Sequence, residues 1–279
     1  MADLPAIGCV DPVTGRVLWT TLLDSVSQTG ETALDDHAWY VGTDSRRVHA
    51  FNPLTGALLW STTVAPNLGF LFRVWGITVS GDTAYVTTVR WLTEQGGSVA
   101  GDLVALDRST GRVLMTYVSP GSKGGFQGRP VIASRLAIMN DVYAHVLVAV
   151  DRFTGAEQWR TGVGERGYLT SERAPVVLGD TVFAASTDTQ VYALDVATGT
   201  TIWQVFGNRG SLGDLALCGS QLVAADFGGS QLIAVDRARK TSSDIMGLLG
   251  GDLVMSRLAA NNEVLVLTGR AGVYGLACK

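Results

Sequence analysis

Four arginines fall at the openings of short apolar runs: Arg73 in "FRVWG" (72–76), Arg129 in "FQGRP" (126–130), Arg173 in "SERAP" (171–175) and Arg257 in "MSRL" (255–258). Two further openings, "GETA" (30–33) and "LGDL" (212–215), carry Glu31 and Asp214, and Glu172 precedes Arg173. Trp75 and Tyr168 lie close by in sequence. A guanidinium grips carboxylate or phosphate through paired N–H donors. A carboxylate beside it serves as acid or base when its surroundings shift its pKa. If a fold brings these openings together, Arg73, Arg129, Arg173 and Arg257 become ligand-binding residues for an anion, with Trp75 and Tyr168 as an aromatic wall. Glu172 and Asp214 would be catalytic only in an enzyme. As ion pairs at a solvated rim, the same residues would simply hold neighbouring segments together.

Other chemistry is poorly represented. The run "DDH" (Asp35, Asp36, His37) has metal-ligand residue types, but neighbours on a strand point to opposite faces and cannot converge. His49 and His145 are isolated, so no metal site is expected. The "GSKGG" run (121–125) lacks the strand and helix that flank a phosphate loop, and no G-x-S-x-G nucleophile motif occurs. Cys9, Cys218 and Cys278 contain no CxxC and no adjacent pair. The net charge of −4 argues against a general nucleic-acid binder, which needs a basic surface. No apolar run reaches the roughly 18 residues of a membrane helix. The opening "MADLPAIGCV" shows no basic n-region or apolar h-region, which reads as cytoplasmic, or extracytoplasmic if a leader has been removed.

The elements that would position these groups are written repeatedly. "IGCVDPVTGRVLW" (7–19) recurs as "VHAFNPLTGALLW" (48–60), "LVALDRSTGRVLM" (103–115), "LVAVDRFTGAEQW" (147–159) and "VYALDVATGTTIW" (191–203). The turn glycines Gly15, Gly56, Gly111, Gly155 and Gly199 are 41 to 55 residues apart. A sixth copy, "LIAVDRARKTSSD" (232–244), has Arg239 and Lys240 in the Thr-Gly positions, and "VYGLACK" (273–279) is a truncated seventh. Each copy reads as strand, tight turn and strand: the Asp or Asn binds following amides, and glycine supplies a positive φ. Two more strand-like runs precede each copy, and the longest interval contains an insertion at 91–102 that includes Trp91. One hairpin cannot bury the tryptophan that ends it, whereas a neighbouring sheet can. Four short antiparallel strands per period, without helical periodicity, predict a β-propeller.

The motif [VL]-x-A-[LVF]-[DN]-x-x-T-G-x-x-x-W resembles the repeat of the pyrroloquinoline-quinone-type (PQQ-like) propellers, a family that includes quinoprotein alcohol dehydrogenases and the propeller lipoprotein of outer-membrane assembly. The resemblance covers nearly the whole chain; Met115 and the Arg239-Lys240 pair depart from it. In the family's dehydrogenases a disulfide between adjacent cysteines covers the quinone and acidic and amide side chains hold calcium. This chain lacks adjacent cysteines, so no quinone or other cofactor is expected.

The expectation is therefore a single all-β domain over residues 1–279, a propeller of four-stranded antiparallel blades. Complete units end near Trp60, Met115, Trp159, Trp203 and Met246, and the C-terminus supplies three inner strands at about 254–277. The "RVLWTT" run (16–21) would be their outer strand, placing Trp19 in the sheet of Val273 to Leu276 and closing the ring at six blades. Residues 5–11 repeat an inner strand, which leaves a seventh, incomplete blade open. That closure brings Cys9 near Cys278, close enough for a disulfide, and leaves Cys218 a buried free thiol. It also gathers the six openings at one channel mouth. The function expected is a binding scaffold without quinone, for a protein or a small anionic ligand. The alternative is an enzyme, a lyase, cyclase or hydrolase, using Glu172 or Asp214.

Overall fold

Alternating apolar residues and glycine-closed turns produce antiparallel strands throughout the chain, as a period of two requires. The computed structural model describes residues 5–23, 32–64, 71–92, 99–120, 124–164, 174–207, 212–226, 231–250, 252 and 258–278. The N-terminal hairpin is β1 (Ala6–Val10) and β2 (Val17–Leu22). Then come β3 (Ala33–Leu34), β4 (Trp39–Thr43), β5 (Arg47–Phe51) and β6 (Leu58–Thr63). The next sheet is longer: β7 (Leu71–Ser80), β8 (Thr83–Trp91), β9 (Val99–Asp107) and β10 (Val113–Val118). After it follow β11 (Phe126–Ala133), β12 (Leu136–Asp141), β13 (Val146–Asp151) and β14 (Glu157–Gly162). Two more sets are β15 (Val176–Leu178), β16 (Thr181–Ala185), β17 (Gln190–Asp195) and β18 (Thr201–Phe206), and β19 (Leu212–Cys218), β20 (Gln221–Asp226), β21 (Leu232–Asp236) and β22 (Thr241–Asp244). The last strands are β23 (Ala259–Ala260), β24 (Val264–Thr268) and β25 (Val273–Ala277). Among the described residues, five sheets are four-stranded meanders in sequence order, β1 pairs with β2, and β23-β24-β25 form a three-stranded sheet. The fold is all-β, and each meander is a propeller blade.

The repeated motif explains both the hairpin and what it docks against. Asp107 Oδ1 accepts the amides of Ser109 (3.1 Å) and Thr110 (2.9 Å), and the Gly111 amide donates to the Asp107 carbonyl at 2.8 Å. Gly111 has φ +72°, a conformation that disfavours any Cβ. One residue later than the turn requires, a β-bulge inserts an extra residue before the motif tryptophan: Ala50 opposes Trp60 while Phe51 opposes Leu58, and Ala193 opposes Trp203 while Leu194 opposes Thr201. The bulge re-aims the indole at the next hairpin along the chain. Trp60 Nε1 donates to the Arg108 carbonyl (3.0 Å), Trp19 Nε1 to Pro53 (3.0 Å) and Trp159 Nε1 to Val196 (2.9 Å). Two residues on, Thr62, Thr21 and Thr161 donate to the carbonyls of Gly111, Gly56 and Gly199 at 2.7, 2.7 and 2.8 Å. A Cβ on any of those three glycines would lie 2.5 Å from the docked tryptophan ring. Burial of an indole is worth about 2–3 kcal/mol and its hydrogen bond about 1 kcal/mol.

The chain divides into two compact units, residues 1–137 with 150–156, and residues 138–149 with 157–279. In the first, Tyr40, Val48 and Trp60 of one sheet pack with Val74, Ile77, Val86 and Val104 of the next. In the second, Phe183, Val191 and Val205 pack with Leu212, Leu222 and Ile233, and Ala216, Val223 and Leu232 pack with Leu265 and Leu267.

Two expectations about the chain ends are corrected. The three-stranded C-terminal sheet ends at β25, whose partner is β24, and Trp19 lies on β2, opposite Cys9 of β1. β1 and β2 are joined by a five-residue-motif turn of their own, and local hairpin closure involves far less loop entropy than a pairing some 250 residues away. Among the described residues the two strands form a sheet of their own. The disulfide is also different: Cys218 is bridged to Cys278, with Cα atoms 5.0 Å apart, and Cys9 is free. Both bridged residues belong to the apolar cluster that joins β19 and β20 to the C-terminal sheet, which brings their Cα atoms within bridging distance.

Candidate functional site

In an antiparallel meander the start of the first strand, the turn between the second and third, and the end of the fourth share one end. Arg73, Trp75, Arg129 and Asp214 all lie in first strands, near that end. Tyr168, Glu172, Arg173 and Arg257, with Glu31, lie outside the described residues.

The 91–102 insertion shapes this end. Rather than forming a separate loop throughout, it lengthens the β8–β9 hairpin, so that Trp91 pairs with Val99 and Arg90 with Ala100. A buried ion pair holds the extension at its base. Arg90 Nε donates to Asp102 Oδ2 at 2.7 Å, its Nη2 donates to Oδ1 at 2.9 Å, and Thr88 Oγ1 donates to Oδ2 at 3.1 Å. Removing either charge would strand the other inside the protein. The sequence reading missed this pair. Its signal was an Arg and an Asp interrupting otherwise apolar strands on both sides of the insertion.

On the extension, the Arg73 guanidinium stands 5.7 Å from the centroid of the Trp91 ring. Opposite it, in the turn after β4, burial pushes the Asp44 carboxyl up while the Arg73 charge pulls it back. Trp75 is the extra residue of a bulge, since Val74 opposes Thr88 and Gly76 opposes Thr87. The bulge turns the strand so that Gly76 meets the backbone of Arg129 on β11, where a Cβ would lie 2.6 Å from Arg129 N and Cα. Thr78 and Thr87 fasten the same approach by donating to the Pro130 and Gly128 carbonyls, each at 2.7 Å. The structure thus brings Arg73, Trp75 and the Arg129 backbone together on two adjacent first strands, with Arg129 itself exposed. Arg73 Nε and Trp75 Nε1 are buried donors without an acceptor among the described residues.

Asp214 is engaged differently. Its Oδ2 accepts the Leu258 amide at 2.7 Å and its Oδ1 accepts the Leu215 amide at 3.0 Å, tying β19 to the segment that enters β23. The "DDH" run is a turn: Asp35 Oδ1 accepts the His37 and Ala38 amides, both at 2.8 Å, and Arg108 Nη1 lies 3.3 Å from Asp35 and 3.6 Å from Asp36. An arginine already occupies the place a cation would take. Cys218 and Cys278 are 60 residues apart, so their bridge is not the adjacent-cysteine disulfide that covers a quinone.

The family model described as outer membrane protein assembly factor BamB matches residues 6–141 and again 99–274. Among solved structures, BamB from Moraxella catarrhalis aligns with a TM-score of 0.65 and 17% identity, covering 95% of this chain and 89% of that one. The computationally designed Ika8 protein aligns at 0.70 and 15% identity, covering 95% and 75%. Quinohemoprotein alcohol dehydrogenase from Comamonas testosteroni aligns at 0.70 and 11% identity, covering 94% of this chain and 61% of that enzyme. No curated protein matches the sequence.

Proposed function

Because this chain belongs to the PQQ-like repeat family described as outer membrane protein assembly factor BamB, we propose that it is a protein-binding scaffold whose partner docks at the extended end of the β7–β10 sheet. The observation that carries this reading is the pair of buried donors, Arg73 Nε and Trp75 Nε1, that find no acceptor among the described residues. A buried donor left unpaired costs about 1–3 kcal/mol, and a carbonyl or carboxylate of a partner would recover it. Trp91 beneath the guanidinium and Leu92, 39% exposed, supply apolar area of the kind that anchors an interface. An anionic group of the partner would lie on Arg73 and Arg129, which the approach of β7 to β11 brings together. Binding is favoured over acid–base chemistry because both Asp214 oxygens accept backbone amides. No described helix is long and apolar enough to cross a membrane. The Cys218–Cys278 bridge supports an extracytoplasmic location, since such bonds persist in oxidising compartments.

The test is site-specific photo-crosslinking in the source cells, with p-benzoylphenylalanine replacing Leu92 or, at the opposite end of a neighbouring sheet, Leu54. A discrete protein adduct from position 92 that disappears with Arg73→Ala, and none from position 54, is expected. Equal adducts from both positions, or an adduct indifferent to Arg73, would remove the proposal.

A further inference from the structure

The sixth copy of the motif has a different turn and, beside it, a cavity that the repeat does not explain. In "LIAVDRARKTSSD" the hairpin closes as in the other copies, Val235 opposing Ser242 as Leu194 opposes Thr201, but the pairing then runs on through Ala234 and Ser243 with no bulge. Lys240 takes the glycine position and adopts φ +56°, a left-handed conformation that a side chain disfavours. Strain of this kind persists where the surrounding structure holds it, and it concentrates at binding sites. The preceding outer strand departs as well: Val205 stands where Thr21, Thr62 and Thr161 make their joint hydrogen bonds.

The turn carries Arg237, Arg239 and Lys240 in a chain with only three lysines. Their charges are not equally available. Asp236 Oδ1 accepts the Ala238 and Arg239 amides, each at 2.9 Å, and its Oδ2 accepts Arg239 Nη1 at 3.0 Å, so that carboxylate and Arg239 neutralise one another. Arg237 instead donates Nε to the Ser220 carbonyl at 2.8 Å. That bond fixes the plane of the guanidinium, and its two terminal nitrogens have no acceptor among the described residues. Arg237 lines a cavity of about 430 Å³ with Ser220, Gln221, Asp236 and Ala238, within the range typical of small-molecule pockets. Fixed paired donors, hydroxyl and amide side chains and a second cation on the same turn suit a tetrahedral, multiply charged oxyanion.

We propose that the pocket between the β19–β20 and β21–β22 turns is a binding site for a phosphate-class group, held by the Arg237 fork with Lys240 adding charge. It lies at the opposite end of its sheet from the first-strand opening around Asp214 and does not depend on the scaffold reading. The phosphate could belong to a free phosphorylated molecule or to a lipid headgroup, which share this chemistry.

The test uses pyrophosphate as probe on the full chain, followed by amide NMR and calorimetry. Saturable binding is expected, with the largest shifts at Gln221 and Ala238. Affinity should fall at least tenfold in Arg237→Gln, and also in Arg237→Lys, which keeps the charge but loses the fork. Lys240→Gly should bind severalfold more weakly while melting no lower than the wild type. Flotation with phosphatidylglycerol vesicles separates the sources: capture that is lost in Arg237→Lys assigns a headgroup, and pyrophosphate binding without capture assigns a free ligand. Equal pyrophosphate affinity in wild type and Arg237→Lys, or shifts of equal size at the turns bearing Arg112 and Arg152, would overturn the site.

Discussion

The hairpin ending in Gly111 and the hairpin ending in Lys240 join the same two strands of their blades, yet only the first receives a neighbouring tryptophan; the second is tied to the preceding sheet through Ser242 Oγ, which donates to the Phe206 carbonyl at 2.5 Å. At Gly111 the turn receives the Trp60 indole, its hydrogen bond to the Arg108 carbonyl and the Thr62 hydroxyl. At Lys240 the bulge is gone, Val205 replaces the threonine, and Trp203 is half-buried against Phe183 with ring centroids 5.8 Å apart. The difference separates two properties that the motif usually combines. A third-to-fourth-strand hairpin forms with either turn. Docking an indole on the next sheet requires a turn without a Cβ, because the ring occupies the space that Cβ would fill. The junction beside Lys240 relies on the apolar cluster of Phe183, Val205, Leu212, Leu222 and Ile233 and on the Ser242–Phe206 hydrogen bond instead. Met115 is intermediate: its flexible thioether approaches Gly155, where a Cβ would meet Cγ at 3.0 Å, and keeps the contact without the hydrogen bond.

The largest effect should come from Gly111→Ala, which combines a positive φ with a Cβ 2.5 Å from the Trp60 ring. A loss of about 3–5 kcal/mol in urea unfolding is expected from strain and overpacking together. Lys240→Gly should move the other way, gaining about 0.5–1 kcal/mol by relieving the strained backbone. A Gly111→Ala protein as stable as the wild type would erase the distinction between the two turns. Next in size is Trp60→Phe, expected to lose about 2 kcal/mol because the Arg108 carbonyl loses its donor and the ring shrinks. Trp203→Phe should lose less than half as much, and equal losses would mean that the indole bond contributes nothing. Thr62→Val should cost about 1 kcal/mol, whereas Val205→Thr should gain nothing, since Val205 is buried in the apolar cluster and Ser242 already ties these strands through the Phe206 carbonyl.

Acid provides the subtlest contrast. Hydrogen bonds from Ser109 and Thr110 hold Asp107 at about 2, and the Thr154 and Phe153 amides with Arg135 hold Asp151 at about 2. A depressed folded pKa contributes stability that is complete above the ordinary value of 3.8 and disappears as pH falls through about 2. Asn52 occupies the same place in its turn and accepts the Leu54 and Thr55 amides at 2.9 and 3.0 Å, but it does not titrate. Hydrogen exchange between pH 4 and 2 should therefore show Gly111 and Gly155 losing protection while Gly56 retains it. Parallel loss at all three glycines would mean that the aspartates do not close the turns through their charge.

Much of the fold was legible because the motif states both its own turn and the requirement for a neighbour: Asp or Asn, glycine and tryptophan at fixed spacing imply a hairpin with something to dock against. The ends were not legible for the same reason. β25 and β1 carry the same third-strand pattern, and a repeat pattern contains no information about which copy an outer strand joins. The cysteines were misread along with that closure, since proximity of Cys218 to Cys278 depends on packing between sheets rather than on any spacing. At the site, the first-strand positions of Arg73, Trp75 and Arg129 followed from the period. The Trp75 bulge, the Arg90–Asp102 pair and Asp44 did not, because each depends on how far the inserted hairpin extends and on what faces it across the sheet.

The central claim is that the tryptophan joints hold the sheets while the opposite, lengthened end binds. Urea unfolding and photo-crosslinking from position 92, measured side by side on Trp60→Phe and Trp91→Ala, test it most directly. Trp60→Phe should lower stability by about 2 kcal/mol and retain the adduct. Trp91→Ala, which removes the platform under Arg73, should change stability by less than about 1 kcal/mol and abolish the adduct. If Trp91→Ala unfolds as early as Trp60→Phe and both keep the adduct, the division of labour between the two ends does not exist.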